Sequence, residues 1–148
     1  MDYREILDHL APCGLNWFKC VAYAEGEIRL HSTRLKELLG SFDRYAERFS
    51  TFIPAFKNYR AFKEILSVLA QGDCKGCRSG EGKYPNCVVL TCHREKKVDF
   101  CFQCREFPCD KVNFDQNLKE RWIRMNERMR RGGVETYYEE TKDLPRYR

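Results

Sequence analysis

Residues 101–109 read CFQCREFPC, three cysteines in nine positions with Pro108 against the last of them. Cys101 and Cys104 stand at the spacing where a tight turn brings two sulfurs to one ion. The same spacing recurs upstream at Cys74 and Cys77, in CKGC, where Gly76 permits the positive φ that such a turn often needs. Two knuckles joined by a spacer resemble a zinc-ribbon ligand set. Neither stands at a strand-to-helix junction within a βαβ pattern, where a redox pair would be expected. The spacing therefore predicts that Cys74, Cys77, Cys101 and Cys104 share one site. Pro108 fixes its own φ and biases Phe107 away from helix. This is expected to turn Cys109 towards a second site, with Cys87, Cys92 and one amino-terminal cysteine, Cys13 or Cys20. His93 follows Cys92 and is a candidate nitrogen ligand.

The surrounding segment, 73–112, holds seven of the nine cysteines, three of the nine glycines and two of the five prolines, and no helical period runs through it. CVVLTC, 87–92, reads as a short strand. The expected fold is mainly α with a small Cys-rich, metal-bound segment of turns and short β-strands, all in a single domain, 1–148. Residues 1–72 are expected to be helical. Ser32 is a candidate cap for a helix carrying Leu35, Leu38, Phe42, Tyr45 and Phe49 on one face. A second helix is expected to open at Pro54, carry Ala55, Tyr59, Phe62, Leu66 and Leu69, and close at Gly72. Aromatics at that spacing are read as core. From 113 the chain returns to helix. Asn113 or Asp115 caps it, Leu118, Trp122, Met125 and Met129 form its apolar stripe, and Gly132 and Gly133 stop it.

The remaining properties narrow the function classes. With 43% hydrophobic and 14% aromatic residues, the 148-residue chain is too apolar for a disordered one and long enough to bury a core. No apolar run approaches the roughly 20 residues of a membrane span, and the opening MDYREILDHL carries no leader pattern. We expect a soluble, cytoplasmic protein with no membrane partner, and hence reduced thiols rather than disulfides; the odd cysteine count agrees. The formal charge is +5. Two sites of four thiolates and a divalent ion would each add −2, leaving about +1, so the basic excess offsets metal-thiolate charge. Lys75, Arg78, Arg94, Lys96, Lys97, Arg105 and Lys111 all stand near cysteines. Arg121, Arg124, Arg128 and Arg131 form a basic stripe that could follow a nucleic acid backbone, diluted by Glu120 and Glu127.

APCGLNWFKCVAY, CKGC, CVVLTC, VDFCFQCREFPC and GVETYY follow one another in this order. Together they resemble the cysteine-rich domain-of-unknown-function family 3795, over roughly residues 11–138. The resemblance implies metal binding and no assigned activity. Its motifs pick out Cys13, Cys20, Cys74, Cys77, Cys87, Cys92, Cys101, Cys104 and Cys109. Where the family's opening commonly reads CGLNC, this chain has Trp17, which removes one potential ligand and is available to pack over the metal segment. Burial as small hydrophobes is the competing reading for Cys13 and Cys20. Two metals suit these ligands. Separated pairs favour zinc, and an iron–sulfur cluster is the alternative. Closed four-cysteine sites point to a structural or interaction module with a protein partner. A site short of one thiolate would instead leave an open position for redox or catalytic chemistry.

Overall fold

A computed structural model describes residues 1–147 of the chain as mainly helical, in two compact units. One unit is Val21–Asp73; the other joins Met1–Cys20 to the chain from Cys74 onward. No helix among the described residues is long and apolar enough to cross a membrane.

Val21–Asp73 is built from helices α2 (Glu27–Leu39), α3 (Asp43–Ser50) and α4 (Tyr59–Ala70), with a 3-10 turn at Pro54–Asn58. The stripe expected on one helix runs across two. Gly40, at φ 48°, ends α2 and the chain restarts at Asp43. Ser32 is not a cap; it is buried inside α2, which begins at Glu27 after Gly26. Phe42 centres an aromatic core, with ring centroids 5.2 Å from Phe49, 5.3 Å from Phe56 and 5.1 Å from Tyr59. Tyr45 and Phe62, expected in the core, are exposed, as are Leu35 and Leu38. Three short helices have too little mutual surface to cover every apolar position of their stripes.

The other unit opens with α1 (Tyr3–Leu7). Asp2 accepts from the Glu5 amide at 2.9 Å while Glu5 accepts from the Asp2 amide at 2.8 Å, a reciprocal cap. Beyond α1 the helix expected across 1–72 fails, and residues 8–26 are turns. Pro12 has no amide to donate, Gly14 takes φ +91°, and the Asn16 side chain accepts from the Phe18 amide. The Cys-rich segment contains no named strand; among the described residues an isolated bridge joins Leu10 and Asn16. CVVLTC instead enters helix α5 (Val89–Glu95). Val89 is buried, and Arg94 complements the negative end of that helix. Packing has overridden the strand preference of the two valines.

Helix α6 (Gln116–Gly132) carries the framework. Asp115 is its cap, accepting from the Leu118 amide at 3.0 Å, whereas Asn113 reaches the Pro85 carbonyl instead. Gly133, at φ 85°, turns the chain into α7 (Val134–Thr141). Met125 and Met129 from α6 join Ile6, Leu10, Phe100, Val134, Tyr137 and Tyr138 in the core. Each large side chain so buried contributes about 1.5–3 kcal/mol.

Candidate functional site

All nine cysteines are free thiols. Two neighbourhoods of thiols stand out, with Cys13 acting on both, and their membership differs from the expected one.

Cys92, Cys101, Cys104 and Cys109 line a single hollow of about 30 Å³ in the Met1–Cys20 and Cys74-onward unit. The three cysteines of CFQCREFPC, expected to divide between two sites, thus border the same hollow. The Cys104 amide donates to the Cys101 carbonyl and the Phe107 amide to the Cys104 carbonyl, at 3.0 and 3.2 Å. These successive turns, and the packing of Phe107 edge-on to Trp122 at 4.9 Å, keep Cys109 beside the pair it was expected to leave. The Cys101 thiol is pushed up to about 12, first by burial and then by the neighbouring Cys13. The buried Trp122 indole N–H has no well-aligned oxygen or nitrogen partner; it faces the Cys101 sulfur and favours the thiolate. Burial also raises Cys92, with Cys109 and Cys104 adding to the shift and Lys111 opposing it. At the rim, Lys96 and Lys111 both pair with Glu106, whose carboxyl they hold down at about 2. His93 lines the same hollow with its Nε2 buried and unpartnered. Burial lowers its basicity first, then the charge of Arg78.

Cys13, Cys74, Cys77 and Cys87 make the second group. Cys77 is pushed up to about 12 by burial and then by Cys13, with Cys74 and Cys87 adding to the shift; Arg146 opposes it. The CKGC turn has the expected form. Gly76 lies at φ +93° and its amide donates to the Cys74 sulfur at 3.4 Å. Trp17 is buried, with its ring against that glycine, where an added Cβ would lie 3.3 Å away. The residue that replaces a cysteine here supports the knuckle by packing. Cys13, Cys77 and Cys87 border a cleft of about 610 Å³. Cys87 and Cys92, expected together, border different hollows: Cys92 lies on α5, while Cys87 precedes that helix and its Val88 cap.

Cys20 belongs to neither group; the Tyr147 hydroxyl donates to its sulfur at 3.8 Å. No three His, Cys, Asp or Glu side chains among the described residues close on an ion-sized centre. Coordination by either group of thiols would require its side chains to turn. Arg78 is held chiefly by backbone carbonyls and an aromatic ring. Its Nε donates to the Leu7 and Leu10 carbonyls at 3.0 and 3.1 Å, and its guanidinium lies over the Phe100 ring.

The residue that sequence reasoning missed is Asn126, fully buried on α6. Its Nδ2 donates to the Cys13 carbonyl at 2.9 Å, and its Oδ1 accepts from the Phe102 amide at 3.0 Å. The Cys101 amide in turn donates to the Pro12 carbonyl at 2.9 Å. One amide side chain therefore ties both thiol groups to one helix. The signal was present: an asparagine four residues beyond Trp122, inside the Met125–Met129 stripe, is a polar residue in an apolar face. Of the arginine stripe, Arg128 pairs with Glu140 at 2.6 Å and lies over the Tyr137 ring, Arg121 and Arg124 border the large cleft, and Arg131 is exposed.

No curated protein and no solved structure matches this chain. The family model described as "Protein of unknown function (DUF3795)" matches residues 9–114, a span containing all nine cysteines. By that match the chain belongs to this family.

Proposed function

We propose that the protein binds two metal ions, one through Cys92, Cys101, Cys104 and Cys109 and one through Cys13, Cys74, Cys77 and Cys87. The grouping of its thiols by four carries this reading, with Cys20 left over. Zinc is the ion we assign. The hollow of the first group, about 30 Å³, is close to the space of two water molecules. The separated Cys-x-x-Cys pairs further support a single ion over a cluster of iron and sulfide. Each ion would supply positive charge that converts buried thiols to thiolates and cross-links the turns bearing them. A four-thiolate set leaves no open position, so the role is structural: the ions hold the framework and the helices offer surface to a protein partner.

Metal analysis with an absorption spectrum, on aerobically and anaerobically purified protein, tests this. A colourless protein with about two zinc ions per chain is the expected result. A brown protein with iron and sulfide would replace zinc by a cluster. Near-zero metal with an intact fold would refute metal binding altogether.

A further inference from the structure

The cleft of about 610 Å³ beside the second thiol group falls in the size range of small-molecule sites. Its lining is mixed in the way such sites are. Leu15, Phe114, Leu118 and the Tyr84 ring are apolar or aromatic, and Arg121, Arg124 and Arg146 bring three guanidiniums to the same opening. Arg121 and Arg124 stand one turn apart on α6, and Arg146 arrives from the carboxyl-terminal segment, fastened by its Nη1 to the Asn16 carbonyl at 2.6 Å. The two carboxylates of the lining already have partners. Asp115 caps α6, and Glu120 accepts from Gln116 at 2.7 Å with Arg124 at 4.0 Å. Beside these stand the thiols Cys13, Cys77 and Cys87, and the arginine ridge runs on into an adjoining hollow of about 260 Å³ that Arg128 also lines. Tyr84 and Phe114 meet edge to face at 5.6 Å, an aromatic surface for a planar ring.

We infer that this cleft binds a small organic anion, an aromatic or otherwise planar body carrying a phosphate or carboxylate group, about the size of a mononucleotide. The guanidiniums take the anionic group through charge-assisted hydrogen bonds, and the apolar lining takes the ring. The cleft takes this anion with its thiols protonated; metal at Cys13, Cys74, Cys77 and Cys87 would place about −2 beside the arginines and weaken anion binding.

The test is displacement of the fluorescent aromatic anion anilinonaphthalene sulfonate from the purified full-length chain, with AMP, adenosine and inorganic phosphate as separate competitors. AMP is expected to displace it saturably, and adenosine and phosphate each more weakly. Arg124→Gln, at an exposed side chain with one loose ion pair, is expected to weaken AMP about tenfold or more. Arg146→Gln should do the same, with circular dichroism confirming its fold. Failure of AMP to displace the probe, or equal displacement in wild type and a folded Arg124→Gln, overturns the proposal. Zinc is measured on the same samples. AMP displacement without zinc would sink the metal reading and leave this one standing.

Discussion

Asn126→Leu is the most informative single change. Leucine keeps the volume and removes the amide. Two groups then lose their partners: the buried Cys13 carbonyl, 2.9 Å from Nδ2, and the part-buried Phe102 amide, 3.0 Å from Oδ1. The Trp122 carbonyl, the third partner, retains its place in the helical ladder. An orphaned buried donor or acceptor costs about 1–3 kcal/mol. Two of them, less the gain from a more apolar side chain, leave a loss of roughly 3 kcal/mol. In a chain of this size that lowers Tm by about 6–12 °C. Denaturant titration and thermal unfolding of the metal-loaded protein measure it. If the amide ties both thiol groups to α6, metal should also leave both together, because Cys13 belongs to one group and Phe102 follows Cys101 of the other. A variant within about 0.5 kcal/mol of wild type, with its metal retained, would refute the reasoning.

Other outcomes follow from the same geometry. Cys104→Ser and Cys77→Ser should each remove one of two bound zinc ions, whereas Cys20→Ser should keep both; elemental analysis decides, and loss of metal from Cys20→Ser would break the grouping. The Cys77 and Cys101 thiols sit near 12, so metal must expel protons to bind. Raised values favour the protonated form, so zinc affinity should fall as pH falls, by up to about tenfold per pH unit for each thiol protonated in the free protein; competition with a chelator across a pH series reads this slope. Gly14→Ala should destabilise by about 1–3 kcal/mol, because its Cβ would lie 2.8 Å from Met129 Cε and 3.4 Å from Met125 Cβ at a φ of +91°; chemical denaturation checks it.

Local features were readable from local sequence. Asp115 capped its helix and Gly133 ended it, because a carboxylate that can take an orphan amide and a residue tolerant of positive φ act within one turn. The CKGC knuckle formed for the same reason, with Gly76 supplying the backbone and Cys74 accepting its amide. The mainly helical character, the family, and the reading of Trp17 as packing over the Cys-rich segment were legible too. What spacing could not decide was which thiols meet. Cys101 and Cys104 looked like partners of Cys74 and Cys77, yet they line a hollow with Cys92 and Cys109. The reason is tertiary: Cys92 lies on α5 while Cys87 stays in the turn before it, Phe107 anchors on Trp122, and Asn126 draws Cys13 and Phe102 to one helix. Chain proximity determines a turn, because its hydrogen bonds close within a few residues. Only the packing of distant segments against α6 decides the company that each sulfur keeps.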